Sequence, residues 1–102
     1  MSHGEQKLLE LAIALATKPR LLLLDEPMAG LGTTECAETI ELLRTLKRET
    51  TILLVEHDMD AVFALADRIS VLVSGQCIVT GSGEEVRNNE AVRLAYLGEE
   101  EL

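Results

Sequence analysis

The run Leu21-Leu22-Leu23-Leu24-Asp25-Glu26-Pro27 constrains this chain more than any other stretch. Its leucines follow Pro19 and end abruptly in two carboxylates and Pro27. A short apolar run between turn signals reads as a strand buried on both faces. Asp25 and Glu26 then sit at the carboxyl end, where open α/β sheets place their ligands. Two carboxylates there suit a metal-bound phosphate: one can hold Mg²⁺, the other can orient or activate water. The plainer alternative is a buried strand capped by solvated acids, and the rest of the chain bears on the choice.

Ser2 and Glu5 have the spacing of a capping box. The apolar residues from Leu8 to Ala16 predict a largely buried helix, stopped by Lys18-Pro19. Gly30 and Gly32 mark a loop, and Thr33 or Thr34 can cap a helix running to about Lys47, with Ile40, Leu42, Leu43 and Leu46 as its apolar stripe. Thr51 to Val55 reads as a second buried strand, ending in Glu56-His57-Asp58. A short helix follows, with Val62, Phe63 and Leu65 inward. Arg68 to Val73 alternates, Ser74-Gly75 is a hairpin signal, and Gln76 to Thr80 returns antiparallel. Glu84 to Asn88 predicts a helical turn, and Asn89-Glu90 caps a last helix that Gly98 ends.

This order implies an α/β fold: parallel strands joined by crossover helices, then a C-terminal β-hairpin and short helices. Two successive strands carry polar residues at the same end, so Asp25, Glu26 and His57 are expected along one rim. An imidazole there can hydrogen-bond a phosphate and orient a water. A zinc site of Asp25, Glu26 and His57 is the competing chemistry, but it lacks a good fourth ligand. Ser2 and Gly4 offer a hydroxyl and backbone N–H groups at a helix N-terminus, a phosphate-binding feature or a plain cap.

Composition narrows the function classes. A net charge of −9 over 102 residues argues against a general nucleic-acid surface and against docking on anionic lipid. Cys36 and Cys77 lack metal-ligand spacing and suggest reduced thiols. No run approaches the roughly 20 apolar residues that span a bilayer. The acidic runs Glu84-Glu85 and Glu99 to Glu101 read as solvated surface and tail.

Several motifs together carry a family resemblance. Met1-Ser2-His3-Gly4-Glu5-Gln6 resembles the signature motif of ABC ATPases, with His3 and Glu5 in place of the general Gly and Gln. Leu21 to Pro27 resembles a Walker B strand with its catalytic glutamate. Met28 to Gly32 resembles the D-loop, with Gly32 where many members have Asp, and Val55 to Asp58 resembles the switch-histidine loop. The order and spacing match over essentially the whole chain. The forms Ser-His-Gly-Glu-Gln and Glu-His-Asp-Met, with Ala95-Tyr96-Leu97-Gly98, are most similar to ATPase subunits of branched-chain amino acid importers.

The resemblance implies a P-loop NTPase fold and the cofactors ATP and Mg²⁺. Asp25 would bind Mg²⁺ through water, Glu26 would polarise the attacking water, and His57 would contact the γ-phosphate. Ser2, His3, Gly4 and Glu5 would form the signature contact to a nucleotide on the opposite subunit. The implied partners are a second ATPase subunit and membrane permease subunits, at the cytoplasmic face of the membrane. A non-transport ABC ATPase and a non-catalytic assembly module are the alternatives.

No Gly-x-x-x-x-Gly-Lys-Ser/Thr occurs among the 102 residues. Residues 1–102 thus resemble the C-terminal half of an ABC ATPase domain, and they are expected neither to bind nor to hydrolyse ATP alone. In the family, the P-loop strand lies between the strands at Thr51 and Arg68. Its absence predicts unpaired apolar edges and self-association.

Overall fold

The structure is a computed structural model and describes residues 2–97. The predicted stop at Gly98 and the acidic run Glu99 to Glu101 lie outside the described residues, as does Met1 of the signature-like motif. The elements are α1 (His3–Ala16), β1 (Leu21–Asp25), α2 (Thr33–Leu46), β2 (Thr51–Val55), α3 (Met59–Leu65), β3 (Ile69–Val73), β4 (Gln76–Gly81), α4 (Gly83–Arg87) and α5 (Glu90–Val92), followed by a π-helical turn (Arg93–Leu97). They form two compact units, one running through Leu65 and one beginning at Ala66.

In the first unit, α1 starts with the predicted capping box. The Glu5 N–H donates to Ser2 Oγ at 3.0 Å, and the Ser2 N–H donates to Glu5 Oε1 at 3.2 Å. The helix ends at Thr17, and Lys18 turns the chain with φ of 52°. Pro19 cannot continue the helix. Strands β1 and β2 pair parallel from Leu21↔Thr51 to Asp25↔Val55, with α2 as the crossover. The α2 cap is Gly32 rather than Thr33 or Thr34: its N–H donates to Glu35 Oε1 at 3.2 Å, leaving both threonines inside the helix. At α3, Asp58 Oδ1 accepts the Ala61 N–H, an N-cap bond.

The core lies on one face of the β1–β2 sheet. Leu22 packs with Leu11 of α1, Leu43 of α2, Ala61 and Leu65 of α3, and Met28, flanked by Leu24, Ile52 and Leu54. Leu43 is 1% exposed and anchors this cluster. Fully burying such a side chain is worth about 1.5–3 kcal/mol.

Two burial expectations are corrected. Neither β1 nor β2 is buried on both faces: Leu21, Leu23, Leu53 and Val55 are each more than half exposed. Successive side chains on a strand point to opposite faces, and the helices cover only the Leu22/Leu24 side. Nor is α1 largely buried. Only Gly4 and Leu11 are, while Leu8, Leu9 and Ile13 are exposed, because a helix packed on one side of a sheet buries a single stripe.

In the second unit, β3 and β4 form an antiparallel hairpin with a register shift between Val71 and Leu72. Ser74 and Gly75 both have positive φ, 50° and 79°, as a type I′ turn requires. A capping box not anticipated from the sequence starts α4. The Glu85 N–H donates to Ser82 Oγ, and the Ser82 N–H donates to Glu85 Oε1. Asn89 caps α5 as predicted, through Val92 N–H to Oδ1 at 3.1 Å. Tyr96 donates its hydroxyl to the Leu72 carbonyl. Among the described residues β2 and β3 do not pair; the parallel and antiparallel ladders are separate sheets. No described helix is long and apolar enough to cross a membrane.

Candidate functional site

The carboxyl ends of β1 and β2 meet because the strands are in register. The Glu26 N–H donates to the Val55 carbonyl at 2.7 Å, extending the ladder one step past the strand. Glu26 then leaves extended geometry, with φ of 48°. A non-glycine residue there, directly before a proline, costs on the order of 1–3 kcal/mol and must be held by its surroundings. The turn aims the Glu26 carboxylate at the loop after β2, where Oε1 lies 2.6 Å from His57 Nδ1. A carboxylate only accepts, so Nδ1 carries the proton and Nε2 faces away as the ring's second functional atom. The His57 side chain is 73% exposed and that of Glu26 47%. The pair is therefore open to a ligand.

Asp25 is not part of this pair. It lies on the same strand face as Leu21 and Leu23 and is exposed. A hard carboxylate in that position fits Mg²⁺ held through water, which retains several of its own waters in such sites. The third member at the rim is instead Glu56, whose carboxylate lies with Glu26 and His57 in a group of ligand atoms all within 4.8 Å of one another. A zinc ion at Asp25, Glu26 and His57 does not fit, since Asp25 lies outside this group.

Helix α1 holds the loop that follows Glu26. Lys7 Nζ donates to the carbonyls of Glu26 and Pro27, each at 3.1 Å. His3 Nε2 lies 3.2 Å from the Ala29 carbonyl oxygen. Gly30 has φ of 77°, and a Cβ there would come within 2.7 Å of the His3 ring. A Cβ at Gly4 would collide with the Glu35 carboxylate. Ser2, Gly4 and Glu5 are thus committed to caps and close packing; the Ser2 hydroxyl, which accepts from Glu5, still has its own proton to offer an anion. His3 is among the residues expected at the site from sequence; Lys7 and Glu56 are not. His3 and Lys7 are four apart on one helix, a spacing that places them on one face. Glu56 stood beside His57 at a strand end.

Cys36 sits under the same loop, its Sγ 3.8 Å from the Leu31 carbonyl oxygen. Burial first, then the charges of Asp58, Glu56 and Glu35, push its thiol pKa up.

A family model described as ABC transporter matches residues 1–29, and one described as branched-chain amino acid ATP-binding cassette transporter matches residues 76–101. The chain is 46% identical over 101 residues to the high-affinity branched-chain amino acid transport ATP-binding protein LivG of Salmonella typhimurium, covering 97% of this chain and 40% of that protein. It is 42% identical to BraF of Pseudomonas aeruginosa over the same shares. The chain belongs to the ABC transporter ATPase family. Its fold superposes on the ADP conformation of MJ1267, an ATP-binding cassette of an ABC transporter, with TM-score 0.81 and 34% identity over 96% of this chain and 41% of the other. The cbiO1 protein of Clostridium perfringens, part of the cbiONQ complex, gives 0.79 and 31% over 100% and 44%. The chain therefore spans about 40% of the length of the curated relatives it matches.

Proposed function

We propose that these residues supply the water-activating part of an ATPase that energises import of branched-chain amino acids. The observation that carries the reading is the 2.6 Å contact between Glu26 Oε1 and His57 Nδ1 at adjacent strand ends. Glu26 orients and polarises the attacking water. His57 fixes the Glu26 carboxylate through Nδ1–H and presents Nε2 to the phosphate side. Asp25 would hold Mg²⁺, which in such sites neutralises charge developing on phosphate oxygens. Ser2 and the start of α1 would meet a nucleotide on a second ATPase subunit, and permease subunits would supply the membrane path. The substrate assignment is supported by the names of the LivG and BraF relatives.

No phosphate-cradling Gly-Lys-Ser/Thr loop occurs in the 102 residues, so they do not by themselves fit a whole nucleotide. We expect no ATP turnover from the chain alone. Joining it behind the amino-terminal part of the Salmonella relative should restore magnesium-dependent ATP hydrolysis. Glu26→Gln should then lower turnover by about 10²–10⁴-fold while ATP binding persists. A folded chimera that binds ATP yet hydrolyses it equally well with Glu26→Gln would overturn the assignment of Glu26. Turnover by the 102-residue chain itself would overturn the expected inactivity.

A further inference from the structure

We infer that Glu56 is a positioning residue, a buried carboxylate that fixes the distance between the Glu26 loop and the His57 loop. Its side chain is 1% exposed, although it lies one residue from the 73% exposed His57. A buried carboxylate must be compensated by donors, and here the donors are backbone N–H groups from both loops. Oε2 accepts from the Met28 N–H at 3.1 Å, two residues past Glu26. Oε1 accepts from the His57 N–H at 3.1 Å and, more weakly, from the Asp58 N–H at 3.4 Å. One rigid group thus ties the strained turn after β1 to the turn after β2. Hydrogen bonds to an ionised acceptor are stronger than neutral ones.

The arrangement also argues against Glu56 as the third ligand of a cation beside Glu26 and His57. Both of its oxygens already accept from backbone, and its Oε1 is 4.0 Å from His57 Nδ1. Without this tether the Met28 N–H loses its acceptor on the loop after β2, and the left-handed turn at Glu26 is less firmly held beside His57.

The catalytic consequence rests on the proposed roles of Glu26 and His57, so the test has two arms. In the 102-residue chain, amide exchange by NMR reads the tether directly, with the Leu43 amide as an internal control for the core. Glu56→Ala should speed exchange at Met28 and His57 by about 10-fold or more and abolish the nuclear Overhauser contact between the Glu26 γ-protons and the His57 ring. Glu56→Gln has one acceptor oxygen and should release one loop only, Met28 or His57. It decides the matter if Glu56→Ala does not fold. Unchanged exchange at both amides with an unchanged Leu43 would overturn the inference. In the active chimera, both variants should lower kcat with KM for ATP unchanged, and Glu56→Asp should recover part of the loss; an unchanged kcat would also overturn it. An inactive wild-type chimera would count against the proposed function and leave the exchange arm to decide the tether.

Discussion

Lys7→Met isolates what one ammonium contributes to the strained turn at Glu26. Methionine keeps the apolar stem packed along α1 and removes only the charge and its donors. The lost bonds are the two from Nζ to the Glu26 and Pro27 carbonyls, each at 3.1 Å. A hydrogen bond from a charged donor is worth about 1.5–3 kcal/mol at its strongest. The bond to Glu26 is exposed and the bond to Pro27 is partly buried, so solvent recovers much of this. The Glu26 carbonyl also keeps the Ala29 N–H at 3.1 Å. About 1–2 kcal/mol in total is a fair expectation. For a chain of this size that corresponds to a fall in Tm on the order of 5–10 °C. Urea unfolding of the two proteins side by side measures it, and the m-value should not change. A loss below about 0.3 kcal/mol would refute the idea that Lys7 holds the turn.

Three further outcomes follow from other parts of the chain. Glu85 is held below its ordinary value of 4.5 by the Ser82 backbone N–H and then by the Ser82 hydroxyl. A depressed carboxylate stabilises the fold above its unfolded pKa and loses that contribution as pH falls through the folded value; Glu85→Ala should therefore lower Tm more at pH 7 than in acid, and a gap that does not shrink as pH falls would contradict this. Iodoacetamide should modify exposed Cys77 before Cys36, which is less exposed and whose thiol pKa burial and the nearby acids push up, with mass spectrometry following both; equal rates in the native protein would count against it. The apolar face of Leu21, Leu23, Leu53 and Val55 should drive self-association, which Leu23→Lys with Leu53→Lys should reduce in sedimentation without loss of helical signal; an oligomer indifferent to both lysines would place the contact elsewhere.

Much of the site was legible because it is local. The acid pair closes an apolar run, His57 closes the next, and two runs of equal polarity at the same end converge once they pair in parallel. The Ser2–Glu5 box and the Ser74-Gly75 turn are likewise short-range patterns whose partners lie within a few residues. What stayed hidden depends on tertiary neighbours. Four consecutive leucines look alike whether one face or both are covered, so the open Leu21/Leu23 face could not be read. Lys7 and Glu56 reach loops 19 and 28 positions away, and no periodicity announces such contacts. Asp25 and Glu26 are adjacent in sequence, yet the left-handed turn between strand and loop sends only Glu26 to His57.

Glu26 and His57 are proposed to work as one unit on the reacting water. A double-mutant cycle in the chimera with the Salmonella amino-terminal part tests it most directly, using single-turnover ATP hydrolysis with Glu26→Gln, His57→Ala and the pair. Groups that act as a unit lose their effect together. The double variant should be no slower than the slower single variant. Losses that multiply, with each variant contributing its full factor independently, would contradict it.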